Sequence, residues 1–159
     1  MATMGVAGTG TGTDNGARGA VRRSRIGGRG RYARVGLATT VAATLANVVV
    51  YFLGDAFVRY DPDFVILQNV TAIVMFTAIA GIVATLVYAV ILRRAANPVR
   101  NFGIVSAIVL VVTTIPDLTY IPDVDGASNG QTAVLVATHL VAAAVIVGML
   151  TTLARPKTA

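Results

Sequence analysis

FVILQNVTAIVMFTAIAGIVATLVYAVILRR, residues 64–94, is the stretch that decides the fold. From Phe64 to Leu92 it runs 29 residues without a charge, and Arg93-Arg94 end it. A helix with no polar face is solvated by apolar surroundings on every side. At 1.5 Å per residue, a hydrocarbon layer about 30 Å thick takes about 20 residues. This run is longer than a straight crossing, which predicts a tilted helix or one whose end lies in the interface. Asp61-Pro62, just upstream, reads as its N-cap and first helical residue.

Three further apolar blocks flank it. Val35 to about Leu53 is 19 residues, long enough to cross. Downstream, Asn97-Pro98 signals another helix start, and an apolar run from Phe102 continues to about Ile121 with Pro116-Asp117 inside it. Proline there predicts a helix kinked or frayed late in the span, which membrane helices tolerate when neighbours satisfy the freed carbonyl. Thr132 to Leu153 is the fourth block; Ser128 and Gln131 stand at capping-box spacing before it, and Arg155 and Lys157 close it. The fold class is therefore an all-α integral membrane protein: a four-transmembrane-helix bundle with spans at about 35–53, 64–92, 102–121 and 132–153.

Composition and charge agree. Of 159 residues, 55% are hydrophobic and 13% charged, against roughly half and a quarter in soluble domains. The absence of Cys excludes disulfides, thiolate metal sites and cysteine nucleophiles. Twelve of the 13 basic residues fall in the N-terminal tail, the loop after the second block (Arg93, Arg94, Arg100) and the C-terminus. Asp55, Asp61, Asp63, Asp117, Asp123 and Asp125 fall around the other two loops, with Arg59 the one base among them. Basic loops stay in the cytoplasm, so both termini are expected inside the cell (plasma) membrane, and a three-span chain is disfavoured. Tyr51, Tyr60 and Tyr120 near the outer boundary suit an interfacial aromatic belt.

Residues 1–34, with nine Gly and seven Arg, read as a disordered cytoplasmic tail drawn to anionic lipids; residues 156–159 form a second short tail. The GGRGR stretch at Gly27 to Arg31 raises RNA as a partner, but arginines beside a span serve orientation and lipid attraction more often, so no nucleic acid is expected. Arg22-Arg23 also suggests an export signal; the apolar run that follows is too long for one, which predicts a retained span. The lack of Glu and the weight of Ala, Val, Gly, Thr and Arg suit a high-GC prokaryotic genome.

Polar residues inside spans are costly and so mark packing contacts or function. Asn47 lies seven residues before Gly54 and His139 seven after Thr132, about 10 Å below the outer boundary in each case. Gln68 and Asn69 near the start of the second span, and Asp117 near the end of the third, fall in the same outer half. These five form a candidate polar cluster. One reading makes them interhelical glue, at about 0.6 kcal/mol per contact. The sharper reading takes His139 and Asp117 as a protonatable pair open to the outside, with Asn47 and Gln68 orienting the pair or a ligand. Close helix approach is expected along Ala38, Ala42 and Ala46, at Ala80 with Ala84, and at Ala144 with Gly148, all at small-xxx-small spacing. Enzyme signatures are missing: one His makes no His-rich metal site, no Glu stands beside Asp117 as a second acid, and Gly8 to Gly12 lacks the Lys of a phosphate loop. No cofactor, metal or catalytic activity is expected.

With ATLANVVVYFLG at Ala43 to Gly54, the Arg93-Arg94 pair, and VATHLVAAAVIVGML at Val136 to Leu150, the chain from about Arg34 to Arg155 resembles the small four-helix membrane proteins common in actinobacteria and some haloarchaea, a domain of unknown function. The resemblance implies four spans and points to Asn47, Pro116 and His139; it implies no activity, substrate or cofactor. The expected role is a structural or accessory component that packs against itself or another membrane protein. The alternative is a small proton-coupled carrier or channel built on His139 and Asp117.

Overall fold

In a computed structural model the described residues are 13–154, with side chains described from residue 30 onward. The ends of both tails, 1–12 and 155–159, lie outside them, as do the Gly8 to Gly12 run, Arg155 and Lys157. Four helices follow one another: α1 Thr13–Val58, α2 Val70–Arg94, α3 Pro98–Thr119 and α4 Asn129–Leu153, with a 3₁₀ turn at Ile121–Asp123 between α3 and α4. The segments Gly30–Val58, Val70–Arg94, Pro98–Asp123 and Asn129–Leu153 are each long and apolar enough to cross a membrane. The loops gather arginines at one end of the bundle and aspartates at the other.

Two helix starts follow local signals. Asn97 precedes Pro98 at the head of α3, and the Ser128 hydroxyl accepts from the Gln131 N–H, 3.3 Å, at the head of α4. The start of α2 is corrected. Asp61-Pro62 begins only a turn, and the helix is capped by Asn69, whose side-chain oxygen accepts from the Thr71 N–H at 2.8 Å. Phe64 and Leu67, read as the first turn of a span, are fully buried from a loop instead, folded over the end of the bundle against Tyr51, Ile121 and Leu135. Apolar residues in a loop bury inward and look, in sequence, like a longer helix. Upstream, the α1 backbone is helical to Thr13, where a disordered segment was expected; once a span exists, adding residues to its end avoids the cost of nucleation. α3 runs unbroken through Pro116.

α1 lies between α2 and α4. α3 packs on α4 and more lightly on α2, and does not meet α1. Two antiparallel contacts of the same kind fix α1 in place. Toward the Arg-rich end, a Cβ on Gly36 would strike Thr85 of α2, and one on Gly81 would strike Thr40 of α1. Toward the Asp-rich end, Gly54 faces Val134 of α4 while Gly130 faces Val58 of α1. Each helix thus contributes Gly and a β-branched residue four apart, and the two sets interlock. The Thr40 and Thr85 hydroxyls are satisfied within their own helices, by the Gly36 carbonyl at 3.0 Å and the Gly81 carbonyl at 2.8 Å.

Along the helices, buried positions carry polar groups more often than exposed ones do. Thr39, Thr40, Asn47, Thr77, Asp117, Gln131, Thr132, Thr138 and Thr151 are buried, whereas Leu45, Phe57, Phe76, Leu86, Val111 and Leu118 are among many large apolar side chains more than half exposed. A water-soluble bundle would invert this distribution. The surface matches hydrocarbon, and the contacts inside rest on close approach and hydrogen bonds.

Candidate functional site

Asp117 and His139 meet. The imidazole Nδ1 stands 3.0 Å from Asp117 Oδ2, with the carboxylate side chain 10% exposed and the imidazole 34%. The same nitrogen lies 3.0 Å from the Leu135 carbonyl one turn back on α4. Nδ1 thus stands between two oxygens, and Asp117 Oδ2 makes a close contact without a well-aligned hydrogen bond. Antiparallel pairing of α3 with α4 brings the two together. It places Asp117 opposite His139, as it places Ile121 beside Leu135 one turn nearer the end. Pro116 lacks an N–H, so the Val112 carbonyl loses its helical donor just below the pair.

The other three members of the expected cluster do not join them. Asn47, 3% exposed, donates through Nδ2 to the Thr77 hydroxyl at 2.9 Å, a bond between α1 and α2. Gln68 is exposed in the loop, where its amide N–H donates to the Pro62 carbonyl, and Asn69 is the exposed cap of α2. The group resolves into one carboxyl–imidazole contact, one interhelical hydrogen bond and two loop contacts. No third His, Asp or Glu among the described residues converges on His139 and Asp117 to hold a metal ion.

The expected alanine stripes are not the seams of the bundle. Ala38, Ala80, Ala144 and Gly148 are exposed, Ala42 and Ala46 are half-buried, and Ala84 packs at the margin of the cluster around Ala43, Tyr88 and Ile146. The buried line on α1 is Gly36, Thr40, Ala43, Asn47 and Tyr51, and on α2 it is Ile73, Thr77, Gly81 and Tyr88. The aromatic belt is corrected in the same way. Tyr51 is 9% exposed and gives its hydroxyl to the Leu67 carbonyl at 3.0 Å; Tyr60 is half-buried and gives its own to the Tyr51 carbonyl at 2.7 Å. Only Tyr120 is exposed. A phenol within reach of a backbone carbonyl ties a loop down in preference to standing in an interface. Burial of Tyr60, then the charge of Asp55 and the neighbouring Tyr51, push its phenol up to about 12.

The capping box at α4 is only half made, and the interior holds polar groups beyond the expected five. Gln131, the expected reciprocal partner of Ser128, is 1% exposed, and neither of its amide atoms has a hydrogen-bond partner, nor does the Thr132 hydroxyl beside it. The threonines were not counted as polar, although their hydroxyls line the interior. A repeated Gly-x-x-x-Thr, at Gly36 to Thr40 and Gly81 to Thr85, was the available signal.

Neither the comparison with curated proteins nor that with solved structures returned a match. The model of a family of unknown function, DUF6069, matches residues 27–156, so the four helices and the Asp117–His139 contact all lie within it, and the chain belongs to that family.

Proposed function

We propose that this protein is a structural or accessory component of the cell membrane, with its Arg-rich end in the cytoplasm, and that it works by lateral helix association through α3. The observation that carries this reading is the weak internal attachment of α3. Along Pro98–Thr119 only Phe102 and Asp117 are buried. Phe102 packs against Tyr88 with the rings tilted, 4.8 Å between centroids, and Asp117 meets His139. Between these anchors Ile104, Ile108, Val111, Val112 and Ile115 are exposed. A helix pinned at two points, with an apolar length between them, suits a helix of another membrane protein. Loop residues Phe64 and Leu67 close the Asp-rich end of the bundle, which favours a packed body over a conduit.

Photocrosslinking residues placed in cells at Ile108 and Val112 are expected to trap a discrete protein adduct that the same residues at exposed Leu86 and Val90 do not. Lipid adducts alone at all four positions contradict the reading, and a doubled mass of this chain reassigns the partner to a second copy.

A proton-coupled carrier is the second reading, favoured by the 3.0 Å contact of His139 with Asp117 and the partly exposed imidazole. In liposomes it predicts a pH-driven flux that His139→Gln abolishes while the variant stays folded. Flux that is absent, or unaltered by the substitution, excludes it.

A further inference from the structure

At the Arg-rich end, a groove of about 170 Å³ opens between α1, α2 and α4, lined by Tyr32, Ala33, Leu86, Ala89, Leu150 and Ala154 among others. Its wall is almost wholly hydrocarbon. Small residues make the gap: Ala33 on α1, Ala89 on α2 and Ala154 at the end of α4 leave space where larger side chains would meet.

Cationic groups stand at its mouth. The Arg31 guanidinium, one residue outward from Tyr32, donates to the Leu153 carbonyl at 3.1 Å, which fixes it beside Ala154. That bond uses one of its five N–H donors. Arg93 is exposed one helical turn, about 6 Å, beyond Ala89. The register in which Gly36 faces Thr85 and Thr40 faces Gly81 sets Arg31 and Arg93 within about one turn of each other along the bundle axis. Every carboxylate whose side chain is described, from residue 30 onward, lies toward the opposite end, so none of these stands beside the two guanidiniums.

We infer that this end holds one anionic phospholipid, with its phosphate beside Arg31 and Arg93 and a length of acyl chain in the groove. Charge selects the headgroup, and the apolar wall selects a lipid over a soluble phosphate. Arg34, exposed on α1 three residues from Arg31, is long enough to snorkel to the same headgroup layer. The site rests on the four helices lying in a bilayer, and cysteine labelling tests that separately.

The test titrates the full chain, purified in neutral detergent, with phosphatidylglycerol, with phosphatidylcholine of the same chains and with glycerol phosphate, reading bound mass by native mass spectrometry. One phosphatidylglycerol is expected to saturate each chain ahead of phosphatidylcholine, and glycerol phosphate is expected to leave the site empty. Arg93→Gln is expected to weaken phosphatidylglycerol about fivefold. Ala89→Phe, which fills the groove and spares the arginines, is expected to weaken both lipids. Equal binding of the two lipids by the wild-type chain overturns the proposal. So does a phosphatidylglycerol preference that survives Arg93→Gln but disappears when Arg18, Arg22, Arg23 and Arg25 are all changed to Gln, because the upstream arginines then act alone. Should Ala89→Phe not fold, the exposed Arg93→Gln decides the question.

Discussion

The Asn47–Thr77 hydrogen bond is the simplest place to ask what a polar residue contributes inside this bundle. It joins α1 to α2 at 2.9 Å with both side chains buried. A double-mutant cycle of Asn47→Ala with Thr77→Val is expected to give a coupling energy of about 0.6 kcal/mol, and a value near zero in detergent unfolding assigns the contact to packing alone. Tyr60 supplies the corresponding pH test. Its phenol is raised from 10.0 to about 12. The folded state thus holds that proton more tightly than the unfolded chain. The stability this contributes is fully present below pH 10 and is lost as pH rises toward 12. Phenolate absorbance should show a late-titrating tyrosine whose amplitude is lost in Tyr60→Phe. At this scale sequence reading was partly sufficient. Asp117 and His139 are legible as neighbours because antiparallel helices equate depth from the same boundary. Gln68 and Asn69 share that depth but belong to a loop, and depth carries no information about which way a side chain turns.

Among the elements, α1 organises the rest through its two reciprocal Gly contacts. A Cβ at Gly81 would lie 2.7 Å from the Thr40 hydroxyl oxygen and 3.1 Å from its Cα, so α1 and α2 must move apart to admit it. Gly81→Ala is expected to cost about 1–3 kcal/mol in denaturant unfolding. Gly148 has open space around it, and Gly148→Ala is expected to be neutral or to stabilise by up to about 1 kcal/mol. If the two substitutions have equal effects, the interlocked seam is not what holds α1 to α2. The spacing of small residues was visible in the sequence, but its face was not. Alanines recur every four residues throughout this chain, and only the partner helix shows that Gly36 and Gly81 point inward while Ala38 and Ala80 point out. The start of α2 was hidden for a related reason. Phe64 and Leu67 are as apolar as a span, yet they are buried by loop closure, with Gly126 at φ +74 holding its backbone close to Asp63 and Phe64.

For the whole molecule, the distribution of surfaces is the main physical fact: threonines, an asparagine, a glutamine and an aspartate are buried among the apolar core, and large apolar side chains cover most of the outer faces of the helices. The number of helices was legible in four apolar blocks, because crossing a bilayer demands length and uniform hydropathy, both written directly in sequence. The order α2, α1, α4, α3 around the bundle was not, since it depends on which faces interlock. The central claim is that these helices cross the membrane four times with the Arg-rich end in the cytoplasm. The chain has no cysteine, so single substitutions give a clean background. The most direct measurement places cysteine at Asp61, Ala96 and Asp125 in turn and labels intact cells with a membrane-impermeant maleimide. The account predicts labelling at 61 and 125 and protection at 96 until the cells are opened; labelling at 96 in intact cells, or protection at 61 and 125, contradicts it.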